Sequence, residues 1–176
     1  ELSSHNRPVD ILHDGFDCVI RTGALPEDGV IARPLGKLTM VNCASPHYLT
    51  RFGYPQSPDD LTSHAIVRYT PHLGVHPLGF EVASVNGVQW FKSGGMLTVN
   101  SSENYLAAGL AGLGIIQIPR IAVREALRAG RLIEVLPGYR AEPLSLSLVY
   151  PQRRELSRRV NLFMQWLAGV MKEYLD

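Results

Sequence analysis

Cysteine is scarce in this sequence: Cys18 and Cys43 are the whole supply. They stand far apart and form no CxxC, which argues against a disulfide-stapled secreted scaffold. Two reduced thiols in strands are expected, because free cysteine packs as a small hydrophobe. No run approaches the ~18 apolar residues that a membrane-crossing helix needs. The opening residues, Glu1-Leu2-Ser3-Ser4-His5, lack both Met and the charged-then-apolar order of a signal segment. The chain is therefore expected to start inside a longer protein. Neither sign of charge is in excess, since 17 basic against 16 acidic residues leave a net +1. A dedicated nucleic-acid binder normally shows a strong basic surplus, so that class is disfavoured, although one module of a longer regulator is not. Tandem repeats and low-complexity linkers are missing too. So are the GxSxG elbow, the HExxH helix and the GxxxxGK[ST] phosphate loop.

What is present is a globular composition. Hydrophobic residues make up 45% and charged residues 19% of 176 positions. A chain of this size can bury a real core as one domain or as two small lobes.

The elements alternate. Val9 to His13 predicts a helical turn stopped at Gly15, and Phe16 to Arg21 a strand. Ile31 to Ala44 reads as a long extended stretch with a break around Pro34-Leu35-Gly36. Its second half, Leu38 to Cys43, is nearly all apolar, as in a strand buried on both faces. Ser45-Pro46 opens a helix that Gly53 ends, and Ser57-Pro58-Asp59-Asp60 repeats the start signal. Ala65 to Tyr69 predicts a strand and Thr70 to Leu78 a loop. Asn86-Gly87 between Phe80–Val85 and Val88–Lys92 is a strong hairpin signal. Met96 to Val99 runs as a strand into Asn100-Ser101-Ser102-Glu103, and a helix follows through Leu113. Then come a strand at Gly114 to Ile118, a helix at Pro119 to Arg128, and strands at Leu132 to Leu136 and Leu144 to Tyr150. The last helix starts near Ser157 and places Val160, Phe163, Met164, Leu167, Val170, Met171 and Tyr174 on one face. Strand–helix alternation with one hairpin is a mixed α/β pattern. The strands at 38–43 and 144–150 are well placed to run between two lobes.

Several motifs invite chemistry and carry a plainer reading beside it. Gly109, Gly112 and Gly114 follow GxxGxG, but they close a helix and enter a strand. A dinucleotide fingerprint needs the opposite order, so tight packing explains them better. His72 and His76 have helical metal-ligand spacing, yet Pro71, Gly74 and Pro77 oppose a helix there. Glu81, Glu134 and Glu142 show no carboxylate partner in the sequence. Asn100 to Glu103 is more informative. A strand ends and a helix begins there, and free amides with a partial positive charge can seat an anion. Plain capping by Ser101 or Ser102 is the other reading. Arg21-Thr22-Gly23 also lies at the carboxyl end of a strand, where ligands of open α/β sheets bind; a structural arginine serves equally well. The run Arg153-Arg154-Glu155 with Arg158-Arg159 reads as a solvated helix start.

Ordered stretches resemble one family. They are Arg7-Pro8-Val9-Asp10-Ile11 with Gly15 to Gly23, Ala32-Arg33-Pro34-Leu35-Gly36, and Ala44-Ser45-Pro46-His47-Tyr48-Leu49. Leu110 to Ile115 with Ile118-Pro119 continue the order, then Gly130-Arg131-Leu132 with Val135-Leu136-Pro137, and Tyr150-Pro151 with Arg153-Arg154, Leu156-Ser157 and Arg159-Val160 complete it. Together they resemble the effector-binding domain of LysR-type transcriptional regulators over nearly the whole chain. The resemblance implies an α/β fold of the type 2 periplasmic-binding-protein-like kind. Two Rossmann-like lobes would be joined by two crossing strands, with a small-molecule site between them. Lobe I would comprise 1–42 with 147–176 and lobe II 43–146. The family's first strand and helix, and its winged helix-turn-helix, would be missing. The resemblance further implies that Arg21, Thr22, Gly23, Arg68, Asn100, Ser101, Ser102, Glu103 and Ile118 contact the ligand, with Tyr69 as a further wall.

The leading expectation is a cytoplasmic effector sensor, neither enzymatic nor membrane-bound, without cofactor or metal. Its effector would be an organic acid or aromatic metabolite. It would self-associate as a homodimer or homotetramer and reach promoter DNA only through the missing domain. A periplasmic solute-binding protein of the same fold is the alternative. An enzyme on this scaffold would need a convergent acid–base pair that the sequence does not display.

Overall fold

The computed structural model describes residues 1–4, 6, 9–23, 29–71, 74, 79–152 and 156–175. The His72/His76 pair and the Arg153-Arg154-Glu155 run lie outside the described residues. The chain divides into two units. Unit 1 is Glu1–Arg7 with Met40–Glu142, and unit 2 is Pro8–Thr39 with Pro143–Asp176.

In unit 2, β1 (Val19–Thr22), β10 (Leu144–Pro151) and β2 (Val30–Leu38) form an antiparallel sheet in the order β1-β10-β2. Pro34-Leu35-Gly36 does not break β2. Instead the register skips Leu35, because Gly36 pairs with Leu146 and Pro34 with Ser147. Such a bulge absorbs one residue and turns the strand without ending it. α4 (Arg158–Met171) starts at Ser157, whose Oγ accepts the Val160 N–H. Val160 and Met164 of α4 pack on Leu148, with Leu167 and Cys18 at the margin. The apolar face expected for this helix is too wide, since Phe163 and Val170 are both 42% exposed. Val160, Met164 and Leu167 follow i, i+4, i+7 and make a narrow seam against a narrow sheet. Cys18 also departs from expectation. It sits just before β1 and is half-buried.

In unit 1, β8 (Ile116–Pro119), β3 (Met40–Ala44) and β9 (Ile133–Glu134) form a second antiparallel sheet. β4 (Ala65–Tyr69) and β7 (Gly94–Val99) pair in parallel, and a parallel bridge from Ile66 to Ile115 ties β4 to the approach of β8. β5 (Phe80–Ser84) and β6 (Gly87–Phe91) form the hairpin that Asn86-Gly87 predicts. One apolar cluster gathers Val41, Cys43, Val67, Tyr105, Ile116 and Val123. Another gathers Tyr48, Leu49, Leu61, Ile66, Phe80 and Ile115. β3 supplies both, as its apolar run predicts. Burial pushes the Cys43 thiol up to about 12, which keeps it an inert core residue.

α1 (Pro46–Phe52) forms as its signals require. Ser45 Oγ accepts the Tyr48 N–H at 3.2 Å, Pro46 takes the first turn, and Gly53 stops the helix at φ 83°. The second start signal yields only a 3-10 turn, Pro58–Thr62. There the Asp60 carboxylate accepts the Gln56 and Ser57 N–H groups, closing a compact turn before β4. α2 (Ser102–Leu110) and α3 (Arg120–Arg128) cover the β3 sheet and bury Tyr105, Ala108, Val123 and Ala126.

His64 closes the approach to β4 and is 5% exposed. Its Nδ1 lies 3.0 Å from the Tyr48 hydroxyl, which accepts the Ala65 N–H at 2.9 Å. Burial lowers the His64 pKa, and the Asp60 charge opposes this only in part. The unfolded chain therefore takes up the proton first. Stability is intact above the unfolded value of ~6.5 and falls as pH drops below it, by at most ~1.4 kcal/mol per pH unit. Urea midpoints at successive pH values should decline more steeply for the wild type than for His64→Gln. Parallel declines would remove His64 from the account.

Candidate ligand-binding site

The amino end of α2 is where side chains from remote parts of unit 1 converge. β7 ends at Val99, paired with Tyr69 of β4, and the Thr70 N–H donates to the Val99 carbonyl. The chain leaves through the exposed Asn100, and Ser101 adopts the extended conformation of a helix cap. Ser101 Oγ accepts the Asn104 N–H at 3.3 Å and donates to Glu103 Oε2 at 2.6 Å. Capping therefore falls to Ser101, and Ser102 is left with both its N–H and its hydroxyl directed elsewhere.

Both go to Asn6. Asn6 Oδ1 accepts the Ser102 N–H at 3.1 Å and the Ser102 hydroxyl at 2.8 Å. Asn6 Nδ2 donates to Glu103 Oε2 at 3.0 Å. The Tyr69 hydroxyl reaches the Asn6 carbonyl at the long distance of 3.5 Å. Tyr69 leans on Tyr105 with ring centroids 5.8 Å apart. The Tyr105 hydroxyl accepts the Gln117 N–H at 2.9 Å, which fixes α2 against β8.

The electrostatics differ from those of a bare helix terminus. The Ser101 hydroxyl, the backbone amide of Glu103 and the Asn6 amide hold the Glu103 carboxyl down to about 2. It is ionised throughout the physiological range and offsets the positive end of the helix dipole. The cluster therefore sets an N–H and a hydroxyl from Ser102 beside one anionic acceptor, and the Asn6 carboxamide bonds all three. It suits a group that both accepts and donates.

The remaining candidates fall elsewhere. Arg68 lies in β4, and its Nη2 donates to the Ser93 carbonyl at 3.0 Å. Its guanidinium runs along Gly95, where a Cβ would come within 3.4 Å of Cζ. Its Nε is buried without a hydrogen-bond partner among the described residues. Ile118 belongs to the core, 4% exposed and paired with Val41. Packing is its visible role. Arg21, Thr22 and Gly23 belong to unit 2. Arg21 Nη2 donates to the Val9 carbonyl at 2.9 Å, Thr22 is exposed, and the Gly23 N–H donates to Ser145 O at 3.0 Å. Among the described residues, no group of three His, Cys, Asp or Glu could hold a metal ion, and no helix is long and apolar enough to cross a membrane.

Sequence reasoning names Asn100 to Glu103 and Tyr69 as candidates; the structure places Asn6 beside Ser102, Glu103 and Tyr69, and Tyr105 against Tyr69, and the sequence names neither Asn6 nor Tyr105. Nothing local marks a contact spanning 96 positions.

The model of the LysR substrate binding domain matches residues 1–172. The HTH-type transcriptional regulator YhjC of Escherichia coli K12 is 99% identical over 176 residues, covering 100% of this chain and 59% of that protein. An HTH-type transcriptional repressor of Pseudomonas aeruginosa is 34% identical over 174 residues, covering 98% of this chain and 54% of that protein. Among solved structures, the regulatory domain of CrgA, a LysR-type transcriptional regulator from Neisseria meningitidis, superposes with a TM-score of 0.78 at 25% identity. That match covers 90% of this chain and 77% of the CrgA chain. The chain spans between 54% and 59% of the two curated relatives' lengths.

Proposed function

The chain belongs to the LysR substrate-binding-domain family, and from that premise we propose that it senses a small-molecule effector on behalf of a longer DNA-binding regulator, with the amino end of α2 as one point of effector contact. The observation that favours the contact is that two donors of Ser102 and the Glu103 carboxylate meet on one exposed group, the Asn6 carboxamide. Arg21, Thr22 and Gly23 in unit 2, and Asn100, Ser101 and Arg68 in unit 1, are proposed further contacts. Ile118 is proposed to act through its packing within unit 1.

An effector acts only through a difference in affinity between two states of the protein, and a coupling of ~1–3 kcal/mol suffices for regulation. Effector occupancy is proposed to alter assembly with further copies of the chain. The DNA-binding part of the longer protein, working on promoter DNA in the cytoplasm, is proposed to read that change. The relatives described above are transcriptional regulators, which favours this reading over a solute carrier of the same fold.

The test is a titration of the 15N-labelled chain with a panel of organic acids, amides and aromatic metabolites, followed in parallel by sedimentation. A binding compound should shift the Ser102 and Glu103 amide resonances and change the sedimentation profile. Compounds that bind while leaving Ser102 unmoved would remove α2 from the site. A panel with no binder would count against the sensor.

A further inference from the structure

We propose that Arg68 and Ser93 form a binding site for a small inorganic anion of the halide class, at the bulged start of β7. The site goes beyond the effector reading and does not depend on it.

Three observations carry it. First, two orphaned polar atoms fall together. Among the described residues, Arg68 Nε and Ser93 Oγ are buried side-chain atoms without a hydrogen-bond partner. Arg68 Nη2 donates to the Ser93 carbonyl at 3.0 Å, so the orphans belong to the two residues that this bond joins. Buried polar groups are paired in folded proteins, and an orphan points to a bound water or ion. Second, the charge has no counterpart. The ion pairs among the described residues are His13–Asp10, Arg120–Glu134, Arg128–Glu125 and Arg140–Glu134, and Arg68 enters none of them. Arg68 is half-buried, its guanidinium keeps its proton, and burying a charge is costly unless an opposite charge meets it. A water would take both hydrogen bonds and leave the charge; an anion takes both and balances it. Third, the backbone leaves room beside Nε. Ala65 pairs with Gly94 but Val67 with Leu97, so β7 carries an extra residue across this step. Gly95 lies in that bulge. A Cβ there would stand 3.4 Å from Arg68 Nε and Cζ and 2.7 Å from the Ile66 carbonyl oxygen.

The donor set selects the ligand. Nε–H and the Ser93 hydroxyl both donate, and the guanidinium repels cations. Both atoms are closed to solvent, so the guest is small and enclosed. A monatomic anion accepts from any direction and brings no carbon body with it.

The test uses the whole chain, 15N-labelled, with the Nε–H resonance assigned by side-chain correlation to the Arg68 backbone. Sodium gluconate is exchanged for sodium chloride at constant ionic strength. The Arg68 Nε–H resonance should follow chloride along a saturating curve. Ser93→Ala should raise the chloride concentration at half-saturation about tenfold, because a hydrogen bond to a charged group is among the stronger ones. Ser93→Thr keeps the hydroxyl and should titrate as the wild type does.

A resonance unmoved by chloride would give Nε to a water or a protein acceptor and overturn the anion. A linear drift without saturation would mark an adventitious ion only and overturn the site. Equal half-saturation in wild type and Ser93→Ala would overturn the shared seat. Acetate competing with chloride for the same resonance would overturn the halide class and hand these atoms to the carboxylate of an effector.

Discussion

Gly114→Ala is expected to destabilise unit 1 by about 2–4 kcal/mol, the sum of overpacking and backbone strain. Gly114 has φ 157°, and its Cβ would stand 2.6 Å from the Ala65 carbonyl oxygen and 3.3 Å from the Val67 nitrogen. These are backbone atoms and cannot rotate away. They are also engaged. Ile115 N–H donates to Ala65 O at 2.9 Å, and Val67 N–H donates to Ile115 O at 3.0 Å. The substitution would push apart the two hydrogen bonds that join β4 to the approach of β8. Gly130→Ala is the control. Its φ is 65°, but an added Cβ meets nothing within 4 Å, so only the left-handed backbone cost of ~1–2 kcal/mol applies. Urea unfolding of the two variants beside the wild type separates the terms. Equal losses would refute the close-approach account and leave strain alone.

Gly114 also shows what a sequence conveys. Its place in GxxGxG suggests a nucleotide loop, and only the order of elements redirects it to packing. Local signals with a stereochemical cause proved reliable. Ser45-Pro46 with Gly53 sets α1, Asn86-Gly87 sets the β5–β6 hairpin, and Ser157 sets the start of α4. Boundaries governed by remote partners were not legible. β9 is shorter than Leu132 to Leu136 predicts because Leu136 turns to φ 49°. That turn is held from β3, where Asn42 Nδ2 donates to Leu136 O and Tyr139 O. The apolar seam of α4 is narrower than its period suggests, because the sheet beneath it decides how much is covered.

The candidate site shows the same division. Asn100 to Glu103 can be read from a strand running into capping residues. Whether that terminus seats an anion depends on what charge lies beside it and what already fills it. Glu103 answers the first question and Asn6 the second. Neither answer is in the motif, since one depends on a side-chain hydrogen bond and the other on a residue 96 positions away. The resemblance covers the fold and the family but passes over Asn6, which is absent from the stretches that carry it.

Asn42→Leu is expected to be the other severe substitution, costing about 2–4 kcal/mol of the ~5–15 that hold a domain of this kind. Asn42 is 0% exposed in the middle of an otherwise apolar strand. Its two amide protons serve Leu136 O and Tyr139 O at 3.2 and 2.9 Å, and its Oδ1 accepts from Gln117 Nε2 at 2.9 Å. Gln117 uses its other amide proton for Glu81 O and its Oε1 for the Glu81 N–H. The network is satisfied on both side chains, so removing one member strands the other's groups in a dry interior, where the loss exceeds the worth of the bond. Gln117→Leu should cost a similar amount. The double variant should cost less than the sum by at least ~1 kcal/mol, because it removes donors together with their acceptors. Additive losses would mean that the two amides act independently and that the network description is wrong. The pair also bears on the site. The Gln117 backbone N–H is the donor to the Tyr105 hydroxyl, and Tyr105 is the residue that seats α2 on β8. A β8 displaced by either single change must carry Tyr105 with it, so the Ser102 amide resonance should move in both single variants. Stability lost with Ser102 unmoved would confine the network to folding and separate it from the ligand contact.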